Sequence, residues 1–404
     1  MFEVAVECSN CKTKMSPCSD DFLTVCPRCG GALLFQYDLQ RIATEISKQT
    51  LIGREDTFWK FLEFLPLSSS NSIVSLGEPY TPMLQIDDSP TFKNVYLKDD
   101  GRLPTGTFKA RGMAVTVSKL KELGAKRVAI PSAGNAASAL AAYATSINIK
   151  VFAFLPKDVP DDILKECLCL GADVYLVDGL ISHAAGIVRR LQGSYGWLDV
   201  STSKQPYRFE GYKVIAFEMA EQFNWDLPDS VFFPTGGGEG VIGLWKGFKE
   251  LIQLGWIEKI PRLIIVQSSG CAPLVDAYNQ NQSEIKEPWK NPKTVAAGLR
   301  VPNPYASYLV LRAVRETQGM ALAVEDADII SSMKTLFKKG IYACPEAAST
   351  FAALNKLQGQ GAYDPDEKTL LYLTGTAMKY FDVIDIERDN IPVLQQDAHT
   401  LSNA

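Results

Sequence analysis

Hydrophobic and polar positions along this chain follow two alternating rhythms. From about residue 95, short β-rich apolar runs alternate with longer stretches whose apolar positions recur at helical spacing. The runs predict strands over residues 95–98, 127–131, 150–155, 173–177, 230–234, 262–267 and 370–373. The stretches between them predict helices over residues 108–123, 135–147, 161–170, 182–191, 211–223, 240–254 and 347–357. Residues 38–67 also read as helical, and a polar break from Ser68 to Ser72 follows. Alternating strand and helix implies α/β architecture, a parallel sheet with helices on both faces. In such sheets ligands collect at the carboxyl ends of strands, so the strand-to-helix junctions carry the functional question.

Charge narrows the partners. The 41 basic and 46 acidic residues leave a net charge of −5, which offers no strong positive field to nucleic acid or anionic lipid. The most apolar stretch, Ser138 to Pro156, is broken by Thr145, Ser146, Asn148 and Lys150, which argues against a membrane span. The first ten residues show no basic region leading into a long apolar run, and a cytoplasmic location is expected.

In that setting disulfides are rare, so the nine cysteines need another explanation. Five of them precede residue 30. Cys8 and Cys11 form one CxxC pair, and Cys26 and Cys29 form a second after fourteen residues. Each pair turns two sulfurs towards one point, which suits tetrahedral Zn2+. A ribbon this small cannot hold itself with a core, so the metal would supply its stability. Cys18 is the surplus thiol, while Cys167, Cys169 and Cys271 are expected to be buried apolar groups. The ribbon has no aromatic and basic stripe, which makes its role structural.

Four junctions carry chemistry. Pro104-Thr-Gly-Thr-Phe-Lys109 follows a strand and opens a helix, where burial and the helix start lower an amine's pKa. Ser132-Ala-Gly-Asn135 does the same with backbone N–H groups suited to a carboxylate. Gly236-Gly-Gly-Glu-Gly240 can wrap a phosphate, yet it matches neither the ATP-binding nor the dinucleotide-binding glycine pattern. Thr374-Gly-Thr376 presents a hydroxyl at the end of the last strand. An amine nucleophile, an anion loop, a phosphate cradle and a hydroxyl together fit pyridoxal 5'-phosphate. His183 and His399 are the only histidines, which favours a lysine base.

These motifs resemble the tryptophan-synthase-β-type fold of pyridoxal-phosphate enzymes (fold type II) and, within it, the threonine synthase family. The likeness runs through nearly the whole chain. It includes the cysteine ribbon with Gly30-Gly31, Leu76-Gly-Glu-Pro-Tyr-Thr-Pro82, Leu97-Lys-Asp-Asp-Gly101, Gln205-Pro-Tyr-Arg208-Phe-Glu-Gly-Tyr-Lys213, and Leu373-Thr374-Gly375 with Lys379 beyond it. The resemblance implies two open twisted sheets with helices on both faces, plus a small N-terminal zinc-ribbon-like segment. It places that segment at residues 1–37, a large cofactor-binding domain at 38–111 and 208–404, and a smaller inserted domain at 112–207. It further implies a homodimer and an amino-acid substrate.

Residue by residue, the resemblance makes Lys109 the Schiff-base lysine, with Phe108 beside it. Asn135 would contact the cofactor's 3-oxygen. Gly236, Gly237, Gly238, Glu239 and Gly240 would surround its phosphate, and Thr374 would meet its ring nitrogen. Ser132, Ala133, Gly134 and Ala136 would face the substrate carboxylate, while Ser203 and Arg208 would hold a substrate phosphate. The implied reaction converts O-phospho-L-homoserine and water to L-threonine and phosphate.

Several residues depart from the family pattern. Ala110 follows Lys109 where the family has Asp, and Ala136 follows Asn135 where it has Thr. The Gly236–Gly240 loop is closer to serine/threonine dehydratases, so β-elimination from a hydroxy amino acid stays open, as does cysteate-synthase-like β-replacement. A carboxylate beside a phosphate is unfavourable, so Glu239 is expected to point outward or cap a helix. Tyr207 and Tyr212 are expected to be packed, and Glu346 to be a helix-start residue.

Overall fold

The computed structural model describes residues 2–17, 21–86 and 89–385. Cys18, His399 and the polar tail after Asp385 lie outside the described residues.

The amino-terminal segment is a three-stranded antiparallel ribbon of β1 (Glu3–Cys8), β2 (Lys14–Met15) and β3 (Leu33–Tyr37), in the order β2-β1-β3. It is docked on the rest of the chain by aromatic side chains. The Tyr308 hydroxyl meets the Ser9 hydroxyl at 2.7 Å and accepts from the Ala32 N–H at 3.0 Å. The Tyr207 ring packs on Phe22 and Phe35.

Residues 38–67 are not one helix. Short helices at Leu39–Glu45 and Lys48–Ile52 give way to a 3-10 helix at Phe58–Phe64. Ser47 and Thr50 cap the second helix reciprocally. Phe58, Phe61 and Phe64 are all buried, and Phe61 leaves helical geometry (φ −106°, ψ 34°), so the segment is two 3-10 turns on either side of a kink.

The main sheet has six strands in the order β12-β11-β10-β13-β5-β4: Met320–Val324, Arg262–Ser268, Ser230–Pro234, Thr369–Leu373, Val95–Asp99 and Met83–Gln85. All neighbours are parallel except β4, which runs antiparallel at one edge. Every residue of β10 and β13 is buried, as expected for parallel strands covered on both faces. After β5 the chain leaves this sheet and builds a second one. Its four parallel strands lie in the order β8-β7-β6-β9: Asp173–Val177, Lys150–Pro156, Arg127–Pro131 and Leu198–Asp199. The chain rejoins the main sheet at β10. The expected pair of open sheets, flanked by helices, is therefore present. Among the described residues no helix is long and apolar enough to cross a membrane.

Two helices bracket the second sheet in sequence, Lys109–Glu122 and Tyr207–Gln222, and they pack at close range. Gly211 makes that possible, because a Cβ there would lie 2.2 Å from the Arg111 carbonyl oxygen.

Candidate active site

The carboxyl ends of β10, β13 and β5, three adjacent strands, bring their junction loops together. The loop before Lys109 is stitched to the loop after β13 by backbone bonds. Phe108 N–H donates to the Thr374 carbonyl at 2.9 Å, and Thr376 N–H donates to the Gly106 carbonyl at 2.9 Å. From the second sheet, the loop after β6 supplies Ser132–Asn135. These loops surround a cavity of about 420 Å³. Its wall contains Phe108, Lys109, Ser132, Ala133, Gly134, Asn135, Ala136, Gly236, Gly237, Gly238, Glu239, Gly240 and Thr374.

Lys109 is the first residue of its helix, and its Nζ lies 4.1 Å from the centroid of the Phe108 ring. Burial and then the nearby Arg208 charge bring its amine down to about 8, against the opposing carboxylates of Glu239 and Glu346. An amine near 8 is partly free base at neutral pH, which a nucleophile or proton acceptor requires.

The glycine loop leads into the Glu239–Gln253 helix, whose first-turn N–H groups have no helical acceptors. Gly238 has φ +84°, and a Cβ on Gly236 would lie 2.2 Å from the Gly298 carbonyl oxygen. Side chains are thus excluded where backbone N–H groups must stay open. Thr374 is buried with its hydroxyl 3.8 Å from the Cys344 sulfur. Asn135 donates to the Tyr380 hydroxyl at 2.5 Å, and its Oδ1 is buried without a partner. Thr107 Oγ1 is likewise buried and unpartnered.

Other expected residues sit differently. Arg208 and Ser203 are buried behind the wall, and both contact Glu239. Glu239 does begin a helix, but it does not point outward. Its buried carboxylate lies 2.6 Å from Arg208 Nη2 and accepts from the Ser203 N–H at 2.5 Å. A buried guanidinium compensates the carboxylate, which is why the cradle tolerates it. Ser132 also serves locally, since its hydroxyl accepts from the Gly134 N–H at 3.0 Å. Glu346 starts the Pro345–Gly359 helix and lines the cavity as well. It accepts from the Gly298 N–H at 2.6 Å, and burial raises its pKa. Tyr207 and Tyr212 are buried and packed. Lys379 turns to Glu166, 2.6 Å away. Cys167 and Cys271 are buried as expected, but Cys169 is exposed because it ends its helix on the solvent side.

Sequence reasoning missed Tyr380, Lys204 and the 298–305 segment, which close other parts of the cavity. Lys204 Nζ sits 5.4 Å from the Tyr305 ring, and Tyr305 donates its hydroxyl to the Gly30 carbonyl of the ribbon. An aromatic residue soon after the strand-end Thr374 was the only signal for Tyr380.

In the ribbon, the Sγ atoms of Cys8, Cys11, Cys26 and Cys29 all lie within 4.8 Å of one another. The Cys8–Cys29 and Cys11–Cys26 separations are 3.5 and 3.6 Å. Four sulfurs about 2.3 Å from a tetrahedral zinc stand roughly 3.8 Å apart, so the cluster fits a structural Zn2+.

The cavity fits a phosphate-bearing cofactor equally well: a glycine cradle on a helix start, orphaned polar atoms and a lysine of lowered pKa share one wall. An α/β enzyme that joins such a cofactor to an amine is the class this defines. The profile of the family described as "Pyridoxal-phosphate dependent enzyme" matches residues 74–375, and the chain belongs to that family of enzymes. Threonine synthase of Methanocaldococcus jannaschii is 36% identical over 365 residues, covering 89% of each chain. Threonine synthase of Methanosarcina acetivorans is 34% identical over 379 residues, covering 93% of this chain and 92% of the relative. Among solved structures, diaminopropionate ammonia lyase of Escherichia coli superposes with a TM-score of 0.65 at 17% identity, over 77% of this chain and 88% of that one. Maize serine racemase gives 0.63 at 21% identity, over 74% and 88%.

Proposed function

We propose that this enzyme converts O-phospho-L-homoserine and water to L-threonine and phosphate. The observation that carries the reading is the buried Ser203–Arg208 anion site next to the cofactor cradle, in a chain that two threonine synthases match over 89% and 93% of its length. An α-amino acid with an anionic tail needs two anion sites beside the cofactor. The helix start at Asn135 suits its carboxylate, and Arg208 with Ser203 suits its phosphate.

When bound, pyridoxal phosphate supplies the electron sink that lets charge develop at the substrate's Cα. Gly236–Gly240 would hold the cofactor phosphate, Asn135 its 3-oxygen and Thr374 its ring nitrogen. A neutral hydroxyl at that nitrogen leaves it without a proton. Lys109 would take the Cα proton and, once that proton has passed on, a Cβ proton as phosphate leaves Cγ. One of the two protons goes to Cγ and the other back to Cα, while water adds its hydroxyl at Cβ and gives its remaining proton to the released phosphate. Its lowered pKa suits both directions of transfer near neutrality.

One observation favours β-elimination from serine or threonine instead: Arg208 is already paired with Glu239. A substrate panel on the holoenzyme separates the two. Equimolar threonine and phosphate from phosphohomoserine is the expected result. Ammonia and a 2-oxo acid from threonine, with phosphohomoserine left intact, overturns it.

A further inference from the structure

Beside the glycine loop lies an anion site filled from within the chain. Ser203 has φ +60°, an uncommon conformation for a residue with a side chain and one that gathers at functional sites. In that conformation its N–H meets Glu239 Oε1 at 2.5 Å. Arg208 Nη2 lies 2.6 Å from Glu239 Oε2, a close ion pair. Arg208 also donates weakly, from Nη1 to the Thr202 hydroxyl and from Nη2 to the Tyr212 hydroxyl, both at 3.4 Å.

Hydrogen bonding here is incomplete on both sides: Glu239 Oε2 is 2.6 Å from Arg208 Nη2 as an ion pair but makes no hydrogen bond. Ser203 Oγ and Arg208 Nε are both buried without a hydrogen-bond partner, and their residues are 1% and 0% exposed. Leaving such groups unpaired costs stability, so an ion pair serving the fold alone would be built without them. A carboxylate offers two oxygens on one side. A phosphate monoester offers three, spread over a tetrahedral face, and can engage the remaining donors. Glu239 lines the cavity whereas Ser203 and Arg208, both in contact with its carboxylate, do not.

We propose that Glu239 is an internal stand-in for the anionic tail of the substrate, and that this tail must displace it from Arg208 and Ser203. The proposal rests on the phosphohomoserine reading. Glu239 is then a specificity-determining residue. It holds the anion site in order in the free enzyme and demands a strong, dianionic competitor. Once turned aside, its carboxylate remains at the first turn of the Glu239–Gln253 helix, where negative charge is favourable.

The test is calorimetric titration of the holoenzyme with inorganic phosphate and, separately, with L-homoserine. E239Q keeps the shape and removes the charge. It is expected to tighten inorganic phosphate at least tenfold and to change L-homoserine affinity less than twofold. The gain should vanish in the E239Q/R208Q double variant. Unchanged or weaker phosphate binding, or an equal gain for L-homoserine, overturns the proposal. E239T serves as a second variant, with cofactor content checked by absorbance. Loss of the cofactor from both variants also overturns it, because Glu239 would then be serving the cradle. Tighter phosphate binding in an enzyme that makes no threonine sinks the proposed reaction but supports the displaceable anion site. Threonine formation with no change in phosphate binding sinks only the role given to Glu239.

Discussion

Two of the buried charge clusters differ in how completely they are hydrogen-bonded. Beneath the site, Arg111 reaches Asp100 at 2.7 Å and Glu218 at 2.6 Å, and Lys98 reaches Glu218 at 2.6 Å. Thr81, Gln222 and Tyr372 fill the remaining positions. All four charged residues are fully buried, and the cluster is saturated. At the cavity, Arg208 faces Glu239, yet Arg208 Nε and Ser203 Oγ have no partner. Both clusters are costly to bury, and only complete hydrogen bonding offsets that cost. The saturated cluster holds strand β5 to the two packed helices. The unsaturated one has capacity left for something else. Between these two clusters, the contrast lies in unfilled donors rather than in charge or burial.

The largest effect is expected where the unsaturated side meets chemistry. Lys109→Ala should lower turnover of the productive substrate by about 10⁴-fold. The same amine gives a pH test. With its pKa at about 8, incorporation of pyridoxal phosphate into the apoenzyme should accelerate as pH rises through that value. A rate that is flat between pH 6 and 9 contradicts the assigned environment of Lys109.

On the saturated side the effect falls on stability. Glu218→Gln removes one charge from a buried network and should cost about 3–4 kcal/mol in denaturant unfolding. Burial opposes ionisation of Glu218, but Arg111 and Lys98 outweigh it and hold the carboxyl at about 2, below the ordinary 4.5. A depressed carboxyl adds stability above its unfolded pKa and loses it as pH falls through the folded one. The wild type should therefore lose stability between about 4.5 and about 2, and the variant should lack that component. If the two proteins show the same acid limb, the network is not the brace described.

The two clusters also differ in how well sequence revealed them. Lys109, the glycine loop, Ser132–Asn135 and Thr374 were legible because each is a local event, a strand ending in residues that suit a helix start. The CxxC pairs were legible because two sulfurs three apart must converge. Asp100 stood within a recognised motif, Arg111 just beyond one and Glu218 within a predicted helix, but their mutual pairing is tertiary and left no local pattern. The direction of Glu239 was misjudged for the same reason. Its partner Arg208 lies 31 positions earlier and on another helix. The 38–67 segment misled because its buried aromatic residues, three apart, satisfy helical periodicity loosely while the backbone breaks at Phe61.

The smallest expected effects give the sharpest contrast, because two tyrosine hydroxyls sit one on each side. Tyr372 donates to Asp100 within the saturated cluster. Tyr372→Phe should cost about 2 kcal/mol of stability, since the lost bond was to a charged group, and should leave cofactor affinity unchanged. The Tyr380 hydroxyl instead accepts from Asn135, whose Oδ1 is already without a partner. Tyr380→Phe removes a neutral bond at the cavity wall, where water can replace it, so unfolding should move by less than about 0.5 kcal/mol. The Asn135 amide would lose its orientation, and the cofactor's dissociation constant should rise about three- to tenfold. Fluorescence titration of each apoenzyme with pyridoxal phosphate, beside a urea melt, measures both quantities. A Tyr380→Phe protein that melts early while keeping its cofactor affinity would make the wall a brace as well, and the distinction between the two clusters would fail.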